Sequence, residues 1–388
     1  MANYSVERRA RLDEEGSSVP LSRTALREAA LDALPEAAAA YLDGGAGGDG
    51  TVAANREAFD RWRLVPRVYN DVADRDLSVD LFGHTYDVPF MTAPIGNLSK
   101  IHAGAETAVA RAAADVDVPV VLSTVATDPL EDVAAALGDD GHGWFQLYRN
   151  AVDEVAHSLV ERAEAAGYEA VVVTVDTPYE GWRERQFDAG FRGDADEGGH
   201  GLGNFVTDPA VAEALGYEPS PDDPEAVDFI QRNFCDPAHT WTDFDGLRAH
   251  TDLPILAKGV LHPDDAAAAV AAGADGIVVS NHGGRQVDGS VAALSALPAV
   301  ADAVDVPVLF DSGVRGGADA LKSLALGADA VCLGRPYAYG LAVAGETGVR
   351  DVLANFRADL DATLGLVGHD SVTDLDRSVL VRRGESPG

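Results

Sequence analysis

The chain has 388 residues, 46% of them hydrophobic, with 29 Lys plus Arg against 64 Asp plus Glu, a formal net charge of −35 and a pI near 4.4. Such apolar content supplies a large core and excludes a disordered acidic tail. So little base cannot neutralise a run of phosphates, which excludes nucleic acid as a partner and disfavours anionic membrane surfaces.

Lysine occurs only at Lys100, Lys258 and Lys322, and every other basic residue is arginine. Acid-rich, lysine-poor composition fits a halophilic, salt-filled cytoplasm. There a negative surface holds water and its self-repulsion is screened, the Debye length being about 3 Å at 1 M. The plainer alternative is an ordinary acidic protein. Cys235 and Cys332 make no CxxC pair, so neither a metal site nor a disulfide framework is expected. The start MANYSVERRAR lacks the apolar stretch of a leader and no apolar run reaches 18 residues, so a cytoplasmic location is expected.

In chain order, Met1 to Val19 is polar and reads as loosely held. Ser22 is placed to cap a helix from Arg23 to about Tyr41, with Pro35 as its break. The glycine cluster Gly44, Gly45, Gly47, Gly48, Gly50 follows. It satisfies GxGxxG, but after an alanine-rich helix rather than a strand, so it is not a dinucleotide fingerprint. Eight β-branched runs then alternate with helical segments: VPFMTAPIG from Val88, VPVVLSTVA from Val118, GWFQLY from Gly143, AVVVTVDTP from Ala170, PILAKGV from Pro254, GIVVSNHGG from Gly276, PVLFDSGVR from Pro307 and AVCLGRP from Ala330. Helices are expected at Asp153 to Ala166, Asp264 to Ala272, Ala318 to Leu326 and Val349 to Leu366. Eight βα units predict an α/β fold, a closed (β/α)8 TIM barrel. The one irregular spacing, 84 residues, falls after the fourth run and holds a Gly-, Asp- and Pro-rich insert, Tyr179 to Thr240. Its aromatic residues Phe187, Phe191, Phe205, Phe229, Phe234 and Trp241 predict partial order rather than a disordered surface loop. The domain reading is therefore an N-terminal helical extension over 1–87 packing on the barrel, a barrel over 88–377 with an active-site insert at 179–240, and a tail over 378–388.

Reactive residues in such barrels project from the C-terminal strand ends. Those ends offer Gln146 and Tyr148, then Thr174, Asp176 and Arg183, then Lys258, then Ser280, Asn281, His282, Arg285 and Gln286. The last two, DSGVRGG and GRP, outline a phosphate site: Gly313 and Gly334 permit close backbone approach, and Arg315 and Arg335 add guanidinium groups. Glycine turns with solvated arginines are the alternative. A lone histidine would more often be structural. His282, however, has a carboxylate (Asp176), two arginines (Arg183, Arg285) and a phenol (Tyr148) at neighbouring strand ends. That set suits acid–base chemistry on an anionic substrate. Lys258 would sit beside a cofactor or developing anion, or else in an ordinary barrel ion pair.

From about Pro35 to Arg377 the chain resembles the FMN-dependent 2-hydroxy acid oxidases and dehydrogenases, through AYLDGGAG, APIG, STVAT, FQLY, TVDTP with GWR, LAKGV, SNHGGRQ, FDSGVRGGAD and GRPYAYG. GWRER, NFVTDP, HPDDA and GRPYAYG resemble lactate 2-monooxygenase most. The resemblance implies FMN lying against Pro94, Ile95 and Gly96, with Ser123, Gln146, Thr174 and Ser280 toward its polar edge. It places Lys258 beside the side that becomes anionic, and the phosphate at Asp311, Ser312, Gly313, Arg315, Gly334 and Arg335. Substrate contacts would be Tyr41, Tyr148, Arg183, His282 and Arg285, with His282 as base and Asp176 steadying its imidazolium. Tyr41 enters only through the resemblance; by pattern alone it is the last turn of a helix.

Family members often carry Trp where Val125 stands and a second Tyr where Leu42 stands; many of the oxidases carry Ala where Gly96 stands, and Gly96 leans toward the monooxygenase type. The implied reaction is oxidation of L-lactate or a similar small (S)-2-hydroxy acid, either by monooxygenation to acetate or by passing electrons to dioxygen or another acceptor. A homotetramer or homo-octamer is implied too. An FMN-dependent isomerase would need a diphosphate site and a metal carboxylate in place of the paired arginines. A non-catalytic flavin-binding protein would be expected to show a damaged set, and His282, Asp176, Tyr148 and Arg285 are all present.

Overall fold

In the computed structural model, residues 16–191 and 200–386 are described. Most of the polar start, part of the insert (192–199) and the last two residues of the tail lie outside that range. Eight parallel strands close into a barrel in chain order: β1 (Phe90–Thr92), β2 (Val120–Ser123), β3 (Gly143–Leu147), β4 (Val171–Thr174), β5 (Ile255–Val260), β6 (Gly276–Val279), β7 (Val308–Phe310) and β8 (Ala330–Leu333). β8 returns to β1 through Val331–Phe90, Cys332–Met91 and Leu333–Thr92. All eight predicted runs are barrel strands. Parallel strands sealed by side chains inside and helices outside read as continuous apolar runs, and nearly every strand residue is buried.

The helices Asp153–Ala165, Pro263–Ala271 and Gly317–Ala325 lie within a residue of expectation. The last helix differs. It starts at Arg335, not Val349, and runs to Val367 with a break at Ala344 and Gly345, where the two segments cross with Gly340 against Gly348. Small residues at that crossing let the backbones touch, so GRPYAYG forms the first turns of a helix instead of trailing the strand.

Ahead of the barrel, Ser22 caps α1 (Arg23–Ala33), its hydroxyl accepting from the Ala25 amide, and Pro35 divides α1 from α2 (Glu36–Asp43). The glycine cluster then leads into α3 (Gly50–Asp60). Its amides take an internal anion: the Asp288 carboxylate accepts from Gly48 and Thr51 at 3.0 Å each, and a Cβ at Gly47 or Gly50 would strike that carboxylate. A hairpin of Val79–Leu81 and His84–Tyr86 closes the opposite, N-terminal mouth. Its turn residue Phe82 takes a left-handed φ of 52°, rare for a bulky side chain, and lays its ring against Trp144 at the start of β3.

The described part of the insert is helical at Glu184–Asp188, Gly203–Val206, Pro209–Leu215 and Pro224–Asn233. Phe191 and Phe205 are buried while Phe187 stays exposed. Asn204 pins the insert to the barrel rim, donating to the Ser123 and Thr124 carbonyls and accepting from the Leu130 amide. Among the described residues no helix is long and apolar enough to cross a membrane.

Candidate active site

β6 runs straight into the loop that carries His282, whose backbone is unusual. His282, Gly283 and Gly284 are consecutively left-handed, at φ 57°, 64° and 81°. Only glycine adopts that conformation freely, and a Cβ on Gly284 would also collide with the backbone of α3 at Thr51 and Val52. The loop is pinned from two sides: Asn281 exchanges amide hydrogen bonds with Asn55 of α3 at 2.7 Å, and the Ser312 hydroxyl accepts from the Asn281 and Gly283 amides. The strained histidine is thus held by structure around it, as strained functional residues are.

His282 Nδ1 lies 2.9 Å from Asp176 Oδ1, and its Nε2 lies 3.3 Å from the Tyr148 hydroxyl. An ionised carboxylate accepts from an Nδ1–H, which keeps the proton on Nδ1 and leaves the Nε2 lone pair free as a base. Burial pushes His282 below its ordinary pKa, against the pull of Asp176 and with help from Lys258 and Arg183. Burial would raise Asp176, but His282 and Lys258 outweigh it and hold the carboxyl below its usual range. Gly259, at φ 108°, makes room: a Cβ there would overlap Asp176.

Two arginines converge above this pair. Arg285 donates through Nη1 to the carbonyls of Tyr41 at 2.6 Å and Gly44 at 2.9 Å, and its guanidinium lies over the Tyr41 ring. Arg183 donates through Nε to the Arg285 carbonyl and through Nη2 to Gln286 Oε1, each at 3.3 Å. Burial, then Arg183, pushes Arg285 down to about 9, and two guanidinium groups on one cavity suit an anion. Tyr41 donates to the Gly96 carbonyl at 2.9 Å and stacks on Phe191 at 4.6 Å. Tyr41 thereby joins the N-terminal extension, the barrel and the insert.

A cavity of about 410 Å³ opens at the C-terminal strand ends, within the range of cofactor and ligand sites. Pro94, Ile95, Gly96, Ser123, Lys258, Asp311, Ser312, Gly313, Arg315, Gly334 and Arg335 line it, as do Tyr41, Tyr148, Arg183, His282 and Arg285. Four predicted residues do not. Asp176 stands behind His282. Gln146 and Thr174 form a relay behind Ser123, whose hydroxyl donates to Gln146 Oε1 while Gln146 Nε2 donates to Thr174 Oγ1. Ser280 is fully buried, accepting from Lys258 Nζ at 3.4 Å and from the His282 amide. These four sit at or just beyond strand ends, set back from the cavity.

Asp311 also departs from expectation. Its carboxylate lies 3.6 Å from Lys258 Nζ and accepts from the Ser312 hydroxyl at 2.7 Å. A carboxylate so placed repels phosphate and suits hydroxyl groups instead. Lys258 is buried, yet Asp311 and Asp176 overcome that burial and keep it cationic.

The loop after β7 and the start of the last helix fit an anion. Burial, and then Arg335, pushes Arg315 down to about 10. Ser312 and Gly313 are left-handed at φ 83° and 106°, turning the loop backbone, and the Arg335 helix begins just beyond Gly334. Arg335 also donates to the carbonyls of Leu42, Gly44 and Gly283, which ties α2 to the His282 loop.

A model for the family described as FMN-dependent dehydrogenase matches residues 30–382. The chain belongs to the FMN-dependent dehydrogenase family. It is 42% identical over 365 residues to an L-lactate oxidase of Lysinibacillus sphaericus, covering 94% of this chain and 93% of that one. It is 42% identical over 378 residues to an FMN-dependent alpha-hydroxy acid dehydrogenase of Penicillium citrinum, covering 96% and 92%. The crystal structure of a mandelate oxidase superposes with a TM-score of 0.82 at 40% identity, covering 94% of this chain and 99% of that one. The family resemblance, the barrel and the FMN dependence read from sequence all hold.

Several lining residues of this family member had no pattern to reveal them. Gln186 accepts from Arg285 Nη2 at 3.4 Å, and Leu202, Ile230 and Phe234 come from the insert. Phe191 and Phe234 were visible as aromatic residues, but nothing local says which of six turns inward.

Proposed function

We propose that this chain oxidises L-lactate or a similar small (S)-2-hydroxy acid to the 2-oxo acid, and that its full reaction is lactate 2-monooxygenation. The observation that carries the reading is the convergence of His282 Nε2, Tyr148 and the Arg183–Arg285 pair on one wall of the cavity. FMN, when bound, would supply two-electron redox chemistry; Pro94, Ile95, Gly96, Ser123 and Lys258 would hold its ring and Arg315, Gly334 and Arg335 its phosphate. Arg183 and Arg285 hold the substrate carboxylate. Tyr41 and Tyr148 orient the hydroxyl. His282 Nε2 takes a proton from the substrate, and Asp176 stabilises the imidazolium that forms. In the monooxygenase outcome, L-lactate and dioxygen become acetate, carbon dioxide and water.

Gly96 and the GWRER and GRPYAYG segments support the monooxygenase reading, and the Tyr41–Phe191 stack over the cavity suits retention of pyruvate. A second reading, an aryl 2-hydroxy acid as substrate, is favoured by one observation. Val125, Phe191, Leu202, Phe205, Ile230 and Phe234 give the cavity an apolar flank larger than a methyl group requires. A homotetramer or homo-octamer in a salt-rich cytoplasm completes the proposal; gel filtration in molar KCl tests the assembly.

The deciding experiment is product analysis after aerobic turnover. Acetate and carbon dioxide from L-lactate support monooxygenation. Pyruvate with peroxide replaces it by an oxidase, and an unreactive L-lactate with a reactive mandelate replaces the substrate. No bleaching of the yellow enzyme by any 2-hydroxy acid without air refutes the whole reading.

A further inference from the structure

The N-terminal face of the barrel, opposite the reacting groups, carries a cluster that the proposed chemistry does not use. His84 sits on the floor hairpin, His142 immediately precedes β3, and Glu169 lies just ahead of β4. Glu169 Oε1 is 2.7 Å from His142 Nδ1 and 3.6 Å from His84 Nδ1, and one ligating atom from each residue falls within 4.8 Å of the others. Two ligands held about 2.1 Å from one tetrahedral ion stand roughly 3.4 Å apart. His84 is exposed on its hairpin, so its ring can turn to close the remaining gap.

We propose that His84, His142 and Glu169 bind a divalent late first-row cation, zinc above all, which ties the floor hairpin to the starts of β3 and β4. Two imidazoles, one carboxylate and an open position toward solvent suit zinc, whereas calcium and magnesium want oxygen ligands. The supporting shell is already built. Glu169 Oε2 accepts from the Tyr86 hydroxyl at 2.8 Å, and the Tyr86 hydroxyl oxygen in turn accepts from Trp144 Nε1 at 3.0 Å. Tyr86 and Trp144 are fully buried, and the Tyr86 ring meets His142 edge-on at 5.0 Å. This chain of hydrogen bonds fixes one Glu169 oxygen inward and leaves the other for the cation, as the outer partners of metal ligands do. The residues come from three separate segments, so no HxH or HExxH spacing announces them.

The test is calorimetric titration of untagged, chelator-treated and dialysed holoenzyme with ZnCl2, paired with thermal melts. One zinc per chain is expected, with a melting temperature that rises on binding. His142→Ala and His84→Ala should abolish that binding event, and Tyr86→Phe should weaken it about 10–100-fold. His157→Ala, which breaks the stacked His157–His250 pair elsewhere on the surface, should leave the titration unchanged. Because His84 is exposed, its variant separates loss of metal from loss of fold. Absence of binding, or a zinc stoichiometry that survives both His84→Ala and His142→Ala, overturns the assignment and leaves a hydrogen-bonded His–Glu cluster.

Discussion

Gly96 and Val125 occupy each other's space: a Cβ on Gly96 would overlap Val125 Cγ2 and lie 2.8 Å from the Val125 carbonyl. Two of the three positions singled out in the sequence, Gly96 and Val125, therefore share one contact. Gly96→Ala should cost about 1–3 kcal/mol through overpacking. Val125→Ala should recover part of that loss, because residues in contact are coupled. Denaturant unfolding of the two single variants and the double variant measures the coupling; strict additivity would mean the contact is relieved by backbone movement. The same set, assayed for acetate against pyruvate, reads whether this contact shapes the product.

His282→Ala should slow anaerobic flavin reduction about 10²–10⁴-fold, the range of a general base. The yellow absorbance should remain, since the phosphate cradle lies on other loops. Stopped-flow reduction by L-lactate checks the first statement and the spectrum after gel filtration the second.

The base must be neutral to act, so the reductive half-reaction falls as pH drops through the His282 pKa. Burial, with Lys258 and Arg183, places that pKa below the ordinary histidine value. The acid limb of kcat/KM is accordingly expected below about pH 6.5. Asp176→Asn removes the charge that opposes this depression, so its residual activity should have its acid limb at still lower pH. A limb that moves upward would show that Asp176 does not govern the histidine.

Arg315→Leu should release FMN rather than slow chemistry. The buried guanidinium is destabilised by burial and by Arg335 until an anion joins them. Binding FMN should therefore raise the melting temperature of the wild type and raise that of the variant much less. Fluorescence of free flavin after dialysis gives the affinity. Wild-type retention of FMN in this variant would place the phosphate elsewhere.

With a net charge of −35, stability should rise from dilute buffer to molar KCl as self-repulsion is screened. Thermal melts across that range check it. A protein most stable without added salt would be an ordinary acidic one.

The barrel was legible because its signals are local. Each strand is a short, largely apolar run followed by a helical segment, and Lys258 in β5 and Gln146 in β3 are polar exceptions too few to hide the pattern. SNHGGRQ, DSGVR and GRP were legible for the same reason: a left-handed His–Gly–Gly turn and a glycine at φ 106° leave their mark in consecutive residues. What sequence could not supply was which side chains face one another across long separations. Tyr41 meets Phe191 and Arg285, Asp311 turns to Lys258, and Asp288 fills the glycine loop that imitates a nucleotide fingerprint. The final helix began fourteen residues early because Gly340 and Gly348 allow a crossing that no single helical period encodes. Sequence by itself determined the strand order, the charge and the chemical types gathered at the barrel mouth. Only the tertiary structure decided which of those groups touch the cavity and which stand behind it, since burial and pairing depend on neighbours hundreds of residues away.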